Sequence, residues 1–415
     1  MNYWLVTTEY PPHSGGGIST YCYHTSKMLI RSGHNVTVFI PDHQAKKMKI
    51  ICDIEEPRLV YFPITHYDYF GFEAALSFSI STVLKEFVDD GSPPDIIEFQ
   101  EYNGIANYAL QRKLLEENYF EQTLFLVTAH APSYLYLEYN QAPSYSFPEY
   151  WIGEMEKNAL NSADLVISPS KFLIEKLNLT RENIHSIFNP YEINEHNESS
   201  IEMGDIAFFG KLTPQKGALE MLAYFEQAWS MGKNYQLNII GGGDHYFYPR
   251  KQDLGSFVKK KYIKRIKEGL LQFEGHIDPT KLNKRLCKAN VILVPSIVDN
   301  LPYTVDEAMA LGKIVLASSD GGQRELIQQG ENGFIFEHQV EGDFLQKLET
   351  VLALDTEELD KIGHQAKLTI KEKCGYEIVH NKKMAAIATH HNTRKIKFPF
   401  LRAVNRTLKS FNTPF

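Results

Sequence analysis

The chain has 415 residues, of which 43% are hydrophobic and 23% charged, and it carries a formal net charge of −8. This composition is typical of globular proteins with room for two domains, and it excludes collagen-like, low-complexity and wholly disordered chains. The negative charge argues against general nucleic-acid binding, which needs a basic surface.

Four cysteines, Cys22, Cys52, Cys287 and Cys374, are widely separated and form no Cys-x-x-Cys motif. This spacing indicates reduced thiols rather than a disulfide framework or a zinc site. The sequence after Met1 lacks the basic start and cleavage site of a secretion signal, and no uncharged apolar run reaches the roughly 20 residues of a membrane-spanning helix. We therefore expect a cytoplasmic protein.

The first half of the chain alternates short apolar runs with amphipathic segments, a pattern typical of a parallel sheet covered by helices on both faces. The predicted strands are Tyr3–Thr8, Asn35–Ile40, Arg58–Phe62, Asp95–Phe99, Thr123–Ala129, Asp164–Ser168 and Ile184–Phe188. The predicted helices are Ile18–Arg31, Phe72–Val88, Ile105–Glu117 and Glu149–Asn161. A polar, acidic stretch without periodicity follows and predicts a linker.

A second alternating series follows this linker. Its predicted strands are Asp205–Phe209, Gln236–Ile240, Leu271–Glu274, Asn290–Val294, Lys313–Ala317 and Gly333–Phe336, and its predicted helices are Gly217–Ser230, Phe257–Glu268, Thr280–Lys288, Tyr303–Leu311 and Arg324–Gln328. We expect a first domain at 1–188, a linker at 189–204, a second domain at 205–375, and a return helix with a basic, aromatic tail at 376–415. Because ligands of such sheets bind at the carboxyl ends of the strands, the active site is expected in the cleft between the domains.

Glycines precede the first predicted helix at Gly15, Gly16 and Gly17. Glycine lets backbone amides approach a ligand closely, and the helix N-terminus adds partial positive charge. Asp42 stands about where a dinucleotide-binding fold has its ribose-binding acid, but Thr20 replaces the third small residue of that motif. A tight structural turn is the alternative interpretation.

A turn with two lysines follows the first predicted strand of the second domain, between Gly210 and Gly217. Lys211 and Lys216 are five residues apart, and Pro214 stands near the start of the next helix. Two cations on such a turn can converge on a diphosphate. The alternative is a pair of solvated lysines, which are common on protein surfaces.

Two carboxylates follow the predicted strand Asn290–Val294. Asp299 lies in the loop after this strand, and Glu307 lies in the next predicted helix, which Pro302 is placed to start. Ionised carboxylates accept hydrogen bonds from hydroxyls, so the loop acid can bind a sugar and the helical acid a ribose. For each residue taken alone, the alternative is an acid at a helix start or a solvated helical glutamate.

The lysine turn and the acid pair together resemble those of the family 4 glycosyltransferases, retaining enzymes of the GT-B fold. The matching residues are Gly210-Lys211-Leu212-x-Pro214-x-Lys216-Gly217 and Pro295-Ser296-x-x-Asp299-x-x-Pro302-x-x-x-x-Glu307-Ala308, with further matches at Gly15–Gly17, Ile240–Gly243, Phe273–His276 and Gly321-Gly322-x-x-Glu325. The matches follow the family's order as far as about Phe336. The resemblance implies an α/β GT-B architecture, in which two Rossmann-like parallel-sheet domains face each other across a cleft.

The resemblance also implies roles on the donor side of this cleft. Lys211, where the family usually has arginine, and Lys216 would hold the donor diphosphate. Asp299, in place of the family's usual glutamate, would face the donor sugar, and Glu307 would bind the ribose. The residues expected to bind the donor are Gly16, Gly17, Gly210, Lys211, Lys216, Asp299, Asn300, Leu301 and Glu307, of which Asn300 and Leu301 would offer backbone amides.

His130 follows a predicted strand of the first domain and matches the family's active-site histidine near the reacting sugar. A packed or capping histidine is the alternative at such a position. The predicted catalytic residues are His130, Lys211, Lys216 and Asp299. Glu98, Gln100 and Glu101 follow another strand of the first domain and are candidates to contact the acceptor, although acids in loops are usually only solvated.

The sequence contains no Asp-x-Asp motif and no His, Asp and Glu cluster with metal-ligand spacing. We therefore expect no metal and no cofactor, with lysines and helix N-termini neutralising the phosphates. The expected reaction moves a sugar from a nucleoside diphosphate sugar, with UDP favoured over GDP, to a hydroxyl of a glycan or lipid-linked glycan in surface polysaccharide biosynthesis. The alternatives are a nucleotide-sugar epimerase, a phosphorylase and a non-catalytic sugar-nucleotide-binding subunit.

The end of the chain is basic, because Glu377 is the only acid after Tyr376. The cations there are Lys382, Lys383, Arg394, Lys395, Lys397, Arg402, Arg406 and Lys409. Apolar residues from Leu401 to Phe411 fall at helical spacing if a helix begins near Pro399. One interpretation is peripheral contact with the anionic cytoplasmic membrane face, and the other is packing of this segment on the first domain.

Overall fold

The computed structural model describes residues 1–12, 15–53, 55–65, 71–91, 93–115, 120–193 and 201–391. Its first part forms the strands β1 (Asn2–Val6), β2 (Asn35–Asp42), β3 (Lys49–Ile51), β4 (Arg58–Pro63), β5 (Ile96–Gln100), β6 (Leu124–Thr128), β7 (Leu165–Ser168) and β8 (Ile184–Ser186). The helices of this part are α1 (Gly17–Arg31), α2 (Phe72–Asp89), α3 (Asn107–Leu115), α4 (Ser133–Tyr139), α5 (Glu149–Ser162) and α6 (Lys171–Lys176). The strands form one sheet in the order β3-β4-β2-β1-β5-β6-β7-β8.

Apart from β3, which runs antiparallel to β4, neighbouring strands of this sheet are parallel. Alternate residues of each strand face opposite sides of a sheet, so a central strand needs apolar side chains on both sides. In β1, Trp4 and Val6 belong to one buried cluster, while Tyr3 and Leu5 belong to another. This explains why the strands appear in the sequence as nearly continuous apolar runs.

The second part of the chain repeats this architecture. Its strands are β9 (Ile206–Phe209), β10 (Leu237–Ile240), β11 (Tyr246–Phe247), β12 (Gln252–Asp253), β13 (Leu271–Gly275), β14 (Val291–Val294), β15 (Ile314–Ser318) and β16 (Phe334–Phe336). Its helices are α7 (Ala218–Ser230), α8 (Leu254–Lys261), α9 (Ile263–Lys267), α10 (Pro279–Leu286), α11 (Tyr303–Ala310), α12 (Asp343–Leu352) and α13 (Thr356–Cys374), followed by α14 (Tyr376–His391). A parallel sheet has the order β13-β10-β9-β14-β15-β16, and β11 pairs with β12 separately. The predicted α/β fold with two Rossmann-like domains is confirmed.

Several elements differ from the predicted ones. The helix predicted over Phe257–Glu268 is two helices, and the first begins earlier because the Asp253 carboxylate accepts a hydrogen bond from the Ser256 backbone N–H. A short 3-10 helix at Gly322–Glu325 replaces the helix predicted at Arg324–Gln328. The strands β3, β11 and β12 and the helices α4, α6, α12 and α13 were not predicted.

Three of the predicted segments lie partly outside the described residues. These parts are residues 116–117 of the helix predicted over Ile105–Glu117, residues 194–200 of the predicted linker and residues 392–415 of the tail. The domain bounds and the membrane contact of the tail therefore stay predictions. Within the described ranges, no helix combines the length and apolar character that crossing a bilayer requires.

The last described helix, α14, returns to the first domain. Its residues Val379, Ala386 and Ile387 join the buried cluster that contains Tyr3 and Leu5 of β1. The chain therefore passes between the domains twice. The two passages touch, because the Tyr191 backbone N–H donates to the Cys374 carbonyl oxygen at 2.8 Å.

Candidate active site

The lysine turn and the acid loop meet at the carboxyl ends of the neighbouring strands β9 and β14. The Lys216 ammonium lies 2.5 Å from Oδ2 of Asp299, so an ion pair joins the two motifs. Ser296 donates a second hydrogen bond to the same carboxylate oxygen at 3.1 Å. Asp299 is buried and Lys216 half-buried, so a diphosphate entering here would meet a cation already held in place.

Two glycines allow the loops around this ion pair to approach each other. At Gly217 the φ angle is +71°, and an added Cβ would lie 1.6 Å from the Pro295 carbonyl oxygen. At Gly241 the φ angle is +131°, and an added Cβ would lie 2.1 Å from the Gly210 carbonyl oxygen. Side chains rarely adopt either conformation and would not fit in either space. The glycines of these motifs are therefore required by backbone contacts.

Glu307 lies on α11, beside the loop that carries Asp299. The predicted start of this helix is confirmed, since Pro302 precedes its first residue, Tyr303. Burial raises the pKa of Glu307 to about 7. Hydroxyl donors of a bound ligand would favour the ionised form of this carboxylate, because hydrogen bonds to the charged form lower a pKa.

Lys211 is exposed and lies near two residues that the sequence analysis did not select. Burial raises the pKa of Glu9, in the loop after β1, and the charge of Lys211 opposes this shift. Burial and the same lysine lower the pKa of His245, in the loop after β10. Each of these residues shares a loop with a glycine motif, Gly15–Gly17 for Glu9 and Gly241–Gly243 for His245. Their closeness to these motifs in the sequence is the signal that could have identified them.

His130 lies at the end of β6 in the first domain. Its Nε2 atom is 2.6 Å from the Gln100 amide oxygen, and its ring packs against the Tyr21 ring in a T-shaped arrangement with centroids 4.7 Å apart. Burial lowers the pKa of His130 to about 4, so the imidazole is neutral at neutral pH. A neutral imidazole that donates from Nε2 leaves Nδ1 as an acceptor.

The three residues predicted to contact the acceptor are all buried, and Glu98 and Gln100 lie in β5 and not in the loop that follows it. Glu98 has no exposed surface, and protein groups bind both oxygens of its carboxylate. Glu101 accepts hydrogen bonds from the backbone N–H groups of His130 and Ala131, at 2.7 and 2.6 Å. Glu98 and Glu101 therefore hold the chain segment around His130 in place through hydrogen bonds from the buried side. Among the described residues, the Gln100 side-chain nitrogen has no hydrogen-bond partner, so this amide stays a candidate acceptor ligand.

A second buried acid lies beside Glu101. Glu156 accepts hydrogen bonds from the backbone N–H and the hydroxyl of Ser133 and from the backbone N–H of Asn103. Burial and the charge of Glu156 raise the pKa of Glu101 to about 8, and burial raises that of Glu156 to about 7. The folded protein therefore holds protons on these acids at pH values where the unfolded chain has lost them.

This pair predicts that the free energy of unfolding decreases as the pH rises from about 4.5 to about 8, because the native state binds more protons in that interval. Replacing Glu101 with glutamine removes one of the two acids and keeps the oxygen that accepts the backbone N–H groups. We expect Glu101→Gln to flatten this decrease in urea unfolding curves measured at several pH values. Glu138→Gln, on an exposed part of α4, should keep the wild-type slope. An unchanged slope in Glu101→Gln would contradict the assignment.

The two domains touch next to His130. The Asn300 side-chain nitrogen donates to the Ala129 carbonyl oxygen at 2.8 Å, and its oxygen accepts from the Ser170 hydroxyl at 2.5 Å. The Asn300 backbone N–H, which was predicted to face the donor, instead lies 3.1 Å from Oδ1 of Asp299. Leu301 is buried among apolar residues of the second domain. Asn300 and Ala129 are thus in direct contact, and they are the sequence neighbours of Asp299 and His130.

Further contacts connect the two sides of the cleft. The Glu325 carboxylate accepts hydrogen bonds from the backbone N–H groups of Lys171 and Phe172, at the start of α6. In the lysine turn, the Gln215 backbone N–H donates to the Asn140 amide oxygen at 2.9 Å. Within the described ranges, no group of three His, Cys, Asp or Glu side chains is arranged to hold a metal ion.

Two family profiles match consecutive parts of the chain. The profile Glycosyltransferase Family 4 matches residues 15–195, and the profile Glycosyl transferases group 1 matches residues 192–369. The chain belongs to glycosyltransferase family 4. His130 lies in the first matched part, and the lysine turn and the acid pair lie in the second.

Individual relatives agree with this assignment. The chain is 25% identical over 348 residues to an uncharacterized glycosyltransferase of Methanocaldococcus jannaschii, in a match that covers 79% of this chain and 83% of that protein. It is 29% identical over 177 residues to the lipopolysaccharide 1,2-N-acetylglucosaminetransferase of Salmonella typhimurium, covering 42% of this chain and 45% of that protein.

Solved structures of glycosyltransferases have the same fold. Sucrose-phosphate synthase of Thermosynechococcus elongatus aligns with a TM-score of 0.72 at 18% identity, covering 95% of this chain and all of that one. The Anabaena HepE complex with UDP-glucose aligns with a TM-score of 0.63 at 16% identity, covering 94% of this chain and all of that one. At these identities the similarity shows the GT-B fold alone.

Proposed function

We propose that this glycosyltransferase moves a sugar from a nucleoside diphosphate sugar, with UDP favoured, to a hydroxyl of a glycan or lipid-linked glycan, and that it retains the anomeric configuration. The reaction is metal-independent and uses no cofactor. The acceptor class is supported by the lipopolysaccharide transferase of Salmonella typhimurium and by the putative colanic acid biosynthesis glycosyltransferase WcaL of Escherichia coli, which is 22% identical over 189 residues.

The contact between Asn300 and Ala129 is the observation that carries this proposal. It brings the loop of Asp299 against the loop of His130, and the Lys216 ion pair lies on the same side of the second sheet. A donor sugar held by Asp299 would therefore lie next to the first domain, from which the acceptor approaches. Neither loop alone would place donor and acceptor groups together.

In the proposed step, the bond between the anomeric carbon and the diphosphate oxygen breaks while a bond to the acceptor oxygen forms on the same face of the sugar. The acceptor proton passes to the departing phosphate oxygen, so the products are a glycoside and a nucleoside diphosphate. Negative charge develops on the diphosphate, and Lys211 and Lys216 stabilise it. His130 and Gln100 orient the reacting sugar and the acceptor hydroxyl.

The test begins with a thermal-shift screen of UDP- and GDP-sugars, followed by mass spectrometry of products formed with glycan acceptors. We expect the proton NMR spectrum of the first product to show the anomeric configuration of the donor, because attack and departure use one face. We expect excess EDTA to leave the rate unchanged, since lysines neutralise the diphosphate. Inversion of configuration, or activity restored only by manganese or magnesium, would contradict the proposal.

The same assay separates the other activities considered from sequence. Conversion of the donor without an acceptor indicates an epimerase, and strict dependence on inorganic phosphate indicates a phosphorylase. Donor binding without hydrolysis or transfer across a broad acceptor panel indicates a non-catalytic subunit. Each of these three results would contradict the proposed transfer activity and support the corresponding alternative.

A further inference from the structure

A buried lysine on the returning helix α14 lies outside every motif that the family assignment explains. Lys383 is 2% exposed, whereas its neighbour Lys382 is exposed. A lysine almost never loses its contact with water unless a partner compensates its charge. Its partner is Glu98 of β5, whose carboxylate lies 2.6 Å from the Lys383 ammonium and is entirely buried.

The Glu98 carboxylate is the centre of a hydrogen-bond network that joins three elements of the first domain to α14. Its donors are the hydroxyls of Tyr3 on β1, Tyr21 on α1 at 2.7 Å and Thr128 on β6 at 2.7 Å, together with the Lys383 ammonium. The Lys383 ammonium also lies 3.1 Å from the Tyr21 hydroxyl. Burial alone would raise the pKa of Glu98, but Lys383 and the hydroxyl donors outweigh it and lower the pKa, so the carboxylate is ionised.

Tyr21 connects this network to the cleft. Glu98 and Lys383 hold its hydroxyl at one end, and its ring packs against the His130 ring in a T-shaped arrangement. A ring fixed at its hydroxyl by two charged groups has little freedom to shift, and closely packed interiors transmit such constraints. A chain of contacts therefore joins the His130 imidazole to a residue more than 250 positions further along the chain.

We propose that Lys383 is a positioning residue of the active site, which acts through Glu98 and Tyr21 to hold the His130 ring in place. This inference rests on the proposed role of His130 in transfer. Lys383 itself is buried beneath the cleft and contacts no substrate. The helix α14 thus completes the acceptor side of the site as well as the core of the first domain.

The first test compares Lys383→Met, which removes the charge and keeps the length, with Lys382→Met on the exposed side of the same helix. We expect Lys383→Met to lower kcat at least about tenfold with little change in the KM for the donor, because the donor site lies in the other domain. Lys382→Met should have wild-type kinetics. Adding Glu98→Gln to Lys383→Met should recover part of the lost kcat, since no unpaired buried charge then remains.

A second measurement uses NMR of the His130 imidazole and needs no catalytic activity. Besides burial, the charges that act on this ring are Glu98, which raises its pKa, and Lys383, which lowers it. Glu101 and Gln100 also face His130, through its backbone N–H and its Nε2 atom. We expect the pKa of His130 to fall in Glu98→Gln, because the Glu98 carboxylate is the largest charge that acts on this ring, and to differ from the wild-type value in Lys383→Met.

Tyr21→Phe keeps the ring and removes only the hydroxyl, so it tests the link even if Lys383→Met fails to fold. We expect this variant to fold, to lower kcat and to change the chemical shifts of His130. Wild-type kcat and an unchanged His130 spectrum in Tyr21→Phe would overturn the proposal, as would a folded Lys383→Met with both properties unchanged. If the wild-type protein transfers no sugar, the proposed function fails, and the His130 titrations still decide whether Lys383 positions the ring.

Discussion

Replacing Lys216 with alanine should lower kcat/KM for sugar transfer by about 30- to 5,000-fold. Removing one charged partner of a buried, hydrogen-bonded ligand costs about 2–5 kcal/mol, and each 1.36 kcal/mol is a factor of about ten in rate. The effect should fall mainly on kcat if Lys216 stabilises the charge that develops on the departing diphosphate. Steady-state kinetics with the donor identified by the screen measure this change.

The loss should be specific to the site. In Lys216→Ala, Asp299 keeps its hydrogen bonds from Ser296 and from the Asn300 backbone N–H, so the variant should remain folded. The matched control is Lys233→Ala, because Lys233 forms an exposed ion pair with Glu349 at 2.9 Å and such pairs contribute little. Near-normal kcat/KM in a folded Lys216→Ala variant would refute the assignment of the diphosphate site.

Gly217→Ala should destabilise the protein strongly and abolish transfer. The backbone there has a φ of +71°, and the new methyl group would lie 1.6 Å from the Pro295 carbonyl oxygen. The left-handed conformation costs about 1–2 kcal/mol for a residue with a Cβ, and relief of the clash adds about 1–3 kcal/mol. The turn must move away from Pro295, which separates Lys216 from Asp299. Denaturant unfolding and the transfer assay measure the two effects.

Gly232→Ala is the control for this substitution. Gly232 follows α7 with a φ of +82°, and an added Cβ would meet no atom within 4 Å among the described residues. It therefore has the conformational cost without the clash. Equal destabilisation by both substitutions would mean that the loops tolerate a methyl group at Gly217.

The buried strands of both sheets could be predicted because each is an apolar run with its ends marked by polar residues. β3 could not, because its three residues are exposed at an edge and pair only with β4. The short helix α6 depends on hydrogen bonds that its backbone N–H groups donate to the side chains of Ser170 and of Glu325 in the other domain. Neither acceptor belongs to the six residues of α6, so the sequence of this helix alone does not predict it.

The site was predictable where its residues lie in contiguous motifs. Lys216, Asp299 and Glu307 stand in such motifs, and the structure brings the first two together. Glu98 was selected as an acid at a strand end, but its partner Lys383 is 285 residues away along the chain. Local patterns carry no information about such a pairing, so the acid was assigned to the cleft surface instead of the interior.

The return of α14 has a consequence for the order in which the protein is made. Domains usually fold as units, with the N-terminal one first while the ribosome is still at work. Here the sheet that is synthesised first lacks Val379, Ala386 and Ile387 of its core, and Glu98 has no counter-charge, until the ribosome has passed residue 387. The later-synthesised second domain has its strands and most of its covering helices available before that moment. We therefore expect the N-terminal half of this protein to reach its native state last.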